Sequence, residues 1–407
     1  MNAREPIVRI AARGDGVTAS GRHAARGLPG DVLREDGSLE EGPHHVEPPC
    51  RHFSARGGAG CGGCELQHAD EAALRTFVEQ RVRGAAEGQA IDAREWLDAH
   101  LSPANSRRRA TLHAMRTAGA AVIGFREAGS HRIVDMRECH VLEPTLTALV
   151  APLRDFVAEH GPRGGVDLTL ATCDQGVDVG LVRFPLEGLA ATEAALGFAR
   201  EHALARLTFD QGYGPETVWE PEPVTINLSG LPVALPPGAF LQATADAEAR
   251  LTADASEWID DAGIVADLFS GLGTFAFALA RAGGTGCKVL AVEADRAAHL
   301  ACTAAASHSG GRVIALHRDL FRNPLQVDEL DRFDAVLLDP PRAGARAQVA
   351  EIAQSKVPRV VYVSCNPSSW ARDAAQLTQT GMRLVKVRTV GQFRWSTHVE
   401  LVSLFER

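Results

Sequence analysis

The stretch Arg359-Val360-Val361-Tyr362-Val363-Ser364-Cys365-Asn366-Pro367 decides the fold class. Its β-branched, apolar first half reads as a strand buried on both faces, as in a parallel sheet covered by helices. The run stops at Ser-Cys-Asn-Pro, because Pro367 has no N–H to continue a ladder, and a helical pattern follows from Ser368 to Asp373. Cys365 is thereby placed at the carboxyl end of a central strand, where open α/β sheets put ligands and chemistry. On position alone it reads equally well as a small buried hydrophobe.

Working outward, strands are expected at 264–269, 288–293, 312–316, 334–338 and 359–363, with helical stretches between them and two late strands at 382–390 and 399–405. Regular βαβ alternation of this kind predicts an α/β fold with a C-terminal Rossmann-like sheet. Pro236-Pro237-Gly238 punctuates the chain just ahead of it, and the domain boundary is placed there. Residues 49–238 read as a central α+β domain, with a helix from Glu71 to Ala86. Its residues 107–134 carry Arg107, Arg108, Arg109, Arg116, Arg126, His131 and Arg132 in strand-like alternation. That pattern suits either a phosphate-tracking face or a merely solvated one. Residues 1–48 alternate short apolar runs with glycine and charge, which predicts a short β segment or a flexible leader.

At 407 residues the chain is too long for a single core. A net charge of −9 excludes indiscriminate coating of nucleic acid while leaving room for a local basic face. No apolar run is long enough to span a membrane, and Met1-Asn2-Ala3-Arg4-Glu5 is followed by no apolar signal core, so a cytoplasmic location is expected. In that compartment eight cysteines point to metal or catalysis rather than disulfides. Cys61-Gly62-Gly63-Cys64 puts two thiols on one tight turn, with Cys50 upstream. A zinc site or an iron–sulfur cubane needs four ligands; Cys139 is the nearest candidate for the fourth, and surface thiols without metal are the alternative.

Asp267-Leu268-Phe269-Ser270-Gly271-Leu272-Gly273-Thr274 runs from a strand through a glycine-rich turn into a helix, the setting in which a ligand presses against backbone. Glu293, ending the next strand, is the acid expected at ribose hydroxyls. A third glycine at dinucleotide spacing and a Walker lysine are both missing, which favours an adenosine ligand without a phosphate chain, such as S-adenosylmethionine. Asp339-Pro340-Pro341-Arg342 leaves few backbone donors, so Asp339 faces the cleft as an acceptor, or the segment is simply a turn. Glu400 opens the last apolar strand and is a candidate general base only if it lies beside Cys365.

Together these motifs resemble the class I, S-adenosylmethionine-dependent RNA 5-methyluridine methyltransferase family. The resemblance covers nearly the whole chain and is strongest from Phe240 to Leu404, where the glycine turn, L-D-P-P-R, V-S-C-N-P and H-V-E occur in the family's order. It implies Cys365 as nucleophile and Glu400 as base. It implies Gln242, Phe269, Gly271, Gly273, Thr274, Glu293, Asp319 and Asp339 at the cofactor, and a 4Fe–4S cluster on Cys50, Cys61, Cys64 and Cys139. The implied layout is a TRAM-like β segment over 1–48, an RNA-binding domain over 49–238 and a methyltransferase domain over 239–407, in a monomer. The implied substrate is 23S ribosomal RNA, with transfer RNA as the alternative. The spacing between Cys50 and Cys61 exceeds the family's, so that loop is expected to bulge, and the N-terminal segment is shorter than the family's barrel. An amine or cytosine methyltransferase, or a non-catalytic RNA-binding iron–sulfur protein, are the competing readings.

Overall fold

The computed structural model describes residues 4–53, 60–259, 261–284 and 286–407. Residues 54–59 of the loop expected to bulge between Cys50 and Cys61, and the first three residues of the N-terminal segment, fall outside them. The chain divides into two compact units, each discontinuous in sequence. One comprises Met1–Gln80, Ser102–Glu222 and Phe393–Thr397; the other comprises Arg81–Leu101, Pro223–Gln392 and His398–Arg407.

The second unit is built on an eight-stranded sheet in the order Val313–His317, Lys288–Glu293, Ile264–Leu268, Ala335–Leu338, Arg359–Ser364, Glu400–Glu406, Arg383–Gly391, Glu95–Leu101. The first five strands are parallel. Glu400–Glu406 runs antiparallel to both its neighbours, and Glu95–Leu101 pairs parallel with Arg383–Gly391 at the edge. Ala335–Leu338 and Val360–Val363 are completely buried, as their unbroken apolar runs require. Each valine and leucine among them contributes roughly 1.5–3 kcal/mol of hydrophobic stabilisation. Strand order reverses between Ile264–Leu268 and Ala335–Leu338, and the crevice beyond their carboxyl ends is the place such a sheet offers a ligand. The edge strand Glu95–Leu101 had no counterpart in the sequence reading; its pattern alternates too weakly to be seen without its partner.

Local chemistry sets the helix starts around that crevice. The Asn366 side chain caps the helix Pro367–Gln379 by accepting from the Ser368 amide at 3.1 Å, with Pro367 in the first turn. Thr244 caps Ala245–Trp258 through the Ala247 amide at 3.0 Å. By contrast, Thr274–Ala282 starts from Gly273 with no side-chain cap, which leaves its first amides facing the crevice.

In the first unit, a six-stranded sheet runs in the order Pro215–Trp219, Arg206–Asp210, Gly176–Val182, Gly165–Cys173, Arg109–Thr117, Ala120–Gly124. Its core includes Leu112, Ile123, Leu153, Leu168 and Val179. The N-terminal residues form a five-stranded sheet with its own small core of Ile7, Ala24 and Leu33. Much of the expected cationic face at 107–134 is committed internally. Arg108 is buried, the Arg116 guanidinium donates to the Gly161 carbonyl at 2.9 Å, and Arg132 pairs with Glu127; Arg126 stays exposed. Among the described residues, no helix is long and apolar enough to cross a membrane.

Candidate functional site

Cys365 is the first residue past the strand Arg359–Ser364, half-buried between that strand and the Asn366 cap. The antiparallel register with Glu400–Glu406 ends at Ser364 opposite Leu401, and one further step sets Cys365 against Glu400. Burial first, then the negative charges of Glu400 and Asp339, push the Cys365 thiol up to about 11; Arg342 pulls the other way. The elements are locked behind the site: Trp370 Nε1 donates to Ser403 Oγ at 2.9 Å, and the Tyr362 hydroxyl donates to Asp373 at 2.8 Å. The Asn366 amide also donates to the Arg342 carbonyl at 2.8 Å, which ties the Asp339–Arg342 loop to the cysteine turn.

A chain of buried amides connects the two acids that face Cys365. Gln392 Nε2 donates to Glu400 Oε1 at 2.7 Å and to Gln242 Oε1 at 3.3 Å, and Gln242 Nε2 donates to Asp339 Oδ2 at 3.3 Å. Burial pushes the Asp339 carboxyl up to about 7.

The remaining predicted positions gather at the glycine turn. Phe269, just past its strand, has φ +65°, a left-handed value that costs a non-glycine residue on the order of 1–3 kcal/mol and recurs at ligand sites. Gly273, at φ +93°, is obligatory: a Cβ there would lie 2.6 Å from the Phe277 ring. Glu293 accepts from the amides of Gly271 (2.8 Å), Ala294 (2.8 Å) and Asp295 (2.6 Å). Three of the roughly four lone-pair positions of a carboxylate are thus used in shaping the turn, and one is left for a ligand hydroxyl. Asp319 accepts from the Phe321 amide at 3.0 Å, and the Phe321 ring sits 5.3 Å from that of Phe269. Thr274 opens the uncapped helix. Beneath the turn, the Asp267 carboxylate is fully buried and, among the described residues, makes no hydrogen bond of normal geometry, while the Ala276 amide is turned towards it. Burial and the charges of Asp339 and Glu293 raise it well above the carboxylate range.

The four predicted metal ligands lie in the first unit. Cys50, Cys61, Cys64 and Cys139 line one cavity together with Arg107 and Phe125. Gly62 permits the turn between two of them: its amide donates to the Arg126 carbonyl at 2.9 Å, and a Cβ would sit 2.8 Å from that oxygen. Burial pushes the Cys61 thiol up to about 11 and raises Cys50 and Cys64, with the Cys139 charge adding in each case. The Arg107 guanidinium lies over the Phe393 ring at 5.0 Å, and its charge interacts with Cys139 and Cys64. Among the described residues, no three His, Cys, Asp or Glu side chains converge closely enough to grip a single ion.

Gln392, Arg342 as a charge beside Cys365, and Arg107 as the cation of the cysteine cavity were not singled out by the sequence reading. The only local trace of Gln392 is a polar residue directly after the largely apolar strand Arg383–Gly391, which is too common to be informative.

A family model described as tRNA (uracil-5-)-methyltransferase matches residues 233–407. An uncharacterized RNA methyltransferase of Zymomonas mobilis is 47% identical over 403 residues, covering 98% of this chain and 99% of its own. The 23S rRNA (uracil(1939)-C(5))-methyltransferase RlmD of Chromohalobacter salexigens is 34% identical over 384 residues, covering 91% of this chain and 78% of its own. In three dimensions, the chain matches the Pyrococcus abyssi tRNA (uracil-54, C5)-methyltransferase in complex with S-adenosyl-L-homocysteine with a TM-score of 0.74. That likeness spans 99% of this chain and 100% of the other at 23% identity, and is one of fold.

Proposed function

This chain belongs to the RNA (uracil-5-)-methyltransferase family, and we propose that it methylates one uridine of 23S ribosomal RNA through a covalent adduct with Cys365. It has the class I methyltransferase fold and uses S-adenosylmethionine. The observation that carries the covalent reading is the pairing of Cys365 and Glu400 at the ends of adjacent strands.

The residues fit the cofactor. Asp267, Glu293 and Asp339 surround an uncapped helix start and a glycine turn, an acidic, acceptor-rich setting that suits an ammonium and a sulfonium. In this reading Phe269, Gly271, Gly273, Thr274, Glu293 and Asp319 hold the adenosyl end, while Gln242 and Asp339 face the reacting groups. S-adenosylmethionine, when bound, supplies an electrophilic methyl group. Uracil carbon 5 is too poor a nucleophile to take it unaided. Cys365, after losing its proton, would add as thiolate through Sγ to carbon 6, and the displaced π electrons would form an enolate whose carbon 5 could accept the methyl group as the methyl–sulfonium bond breaks and S-adenosylhomocysteine leaves. Glu400 then removes the carbon-5 proton; the electron pair restores the carbon 5–carbon 6 double bond as the carbon–sulfur bond breaks and Cys365 leaves as thiolate. The target base must leave its stack to reach the crevice.

The same reading assigns the N-terminal five-stranded sheet (1–48) as a TRAM-like RNA-holding segment and residues 49–238 as the central RNA-binding domain, in a cytoplasmic monomer. It assigns a 4Fe–4S cluster to Cys50, Cys61, Cys64 and Cys139. What supports a shared site is that the four thiols line one cavity. The ribosomal substrate is supported by the relatedness to the Chromohalobacter enzyme across most of both chains.

The test is to incubate the protein with methyl-tritiated S-adenosylmethionine and unmodified 23S ribosomal RNA or transfer RNA, then identify the labelled nucleoside. Label in 5-methyluridine from ribosomal RNA is the expected result. Label only from transfer RNA overturns the substrate and keeps the chemistry.

A further inference from the structure

We propose that Gln392 is the positioning residue that orients Glu400 and Gln242 together, with one backbone amide setting the direction of the whole hydrogen-bond chain. The proposal rests on the reading of Glu400 as the base. Gln392 is 2% exposed, so water does not compete for its amide. Its Oε1 accepts from the Ala243 N–H at 3.0 Å. A backbone N–H can only donate, so the Gln392 oxygen must face Ala243 and its NH2 must face the opposite way. That NH2 meets Glu400 Oε1 at 2.7 Å and Gln242 Oε1 at 3.3 Å. Once its oxygen is taken, Gln242 in turn must present its own NH2 to Asp339, 3.3 Å away.

The consequences are chemical as well as geometric. A fixed donor on Oε1 favours ionised Glu400, the form a base needs. The same amide fixes which end of Gln242 faces the acid beside Cys365. Gln392 touches neither thiol nor substrate in this account and acts through the residues it holds.

The experiment compares Gln392→Glu and Gln392→Met with the parent and with Glu400→Gln, measuring turnover against pH and the lifetime of the RNA–protein adduct in denaturing gels. Gln392→Glu keeps an acceptor for Ala243 but sets a second carboxylate on Glu400. Its acidic limb of kcat should move up by about one pH unit or more, because two close carboxylates cannot both ionise freely. Gln392→Met removes the donor at similar volume, and should lower kcat roughly tenfold and lengthen the adduct lifetime. An unchanged limb in a folded Gln392→Glu protein, or an unchanged adduct lifetime in Gln392→Met, overturns the role of Gln392. Full turnover by Glu400→Gln overturns instead the underlying reading of Glu400, and this inference with it.

Discussion

In the cysteine cavity and in the Cys365 crevice, burial pushes thiols of the same kind upward, Cys61 and Cys365 both to about 11. Their neighbours differ in kind. The cavity holds four thiols around one another with the Arg107 cation at the wall. Cys365 faces two acids, Glu400 and Asp339, with Arg342 as the opposing charge. Under the proposed function, the crowded thiols become favourable as thiolates when a cationic centre binds them all, as ligands require. The proposed nucleophile is instead a lone thiol facing acids, which raise its pKa. Burial is common to both regions, and the charges around the sulfur are what differ.

Exchanging one cysteine from each region gives the sharpest break in that comparison. Cys365→Ala should reduce methyl transfer by a factor on the order of 10⁴ while iron content, melting temperature and S-adenosylmethionine binding stay as in the parent. Turnover within tenfold of the parent removes Cys365 from the chemistry. Cys64→Ser should do the reverse. Protein prepared without air should drop from about four iron and four sulfide per chain towards none, and its melting temperature should fall by about 5 °C or more, because cluster binding contributes to folding stability. Parent-like stability with no iron in either protein would make the cavity four buried thiols and nothing more.

The smallest effect is a pH dependence that sharpens the contrast. Alkylation of Cys365 by iodoacetamide, followed on its own peptide by mass spectrometry, tracks the thiolate. Because its pKa is raised, the rate in the free protein should keep climbing, about tenfold per pH unit, until near pH 11. Arg342→Gln removes the opposing cation and should slow the reaction further at any pH below that. A plateau near pH 8 would mean that neither burial nor the acids raise this thiol.

Several of these elements could be read one residue at a time. The strand and turn around Cys365 announce themselves through a β-branched run, a capping Asn366 and Pro367, and the observed strand Arg359–Ser364 extends the expected one by a single residue. The glycine turn was legible because Gly273 admits no side chain. Gln392 was not, since its importance comes from Ala243, about 150 residues earlier. Nor was the fate of the arginines at 107–134: periodicity reveals a cationic stripe, but not that Arg108 is buried or that Arg107 lies on Phe393.

By itself, then, the sequence determined the parallel sheet, the order of its motifs and the residue types at the crevice, because strand, turn and cap propensities act over a few neighbouring residues. Only the tertiary structure decided that Glu95–Leu101 completes the sheet, that Arg107 lies beside the four cysteines, and that Gln392 joins Glu400 to Gln242. These are pairings between residues far apart in the chain. They are selected by complementary hydrogen bonds and shared burial that exist only after the chain has closed on itself, and no local pattern records them.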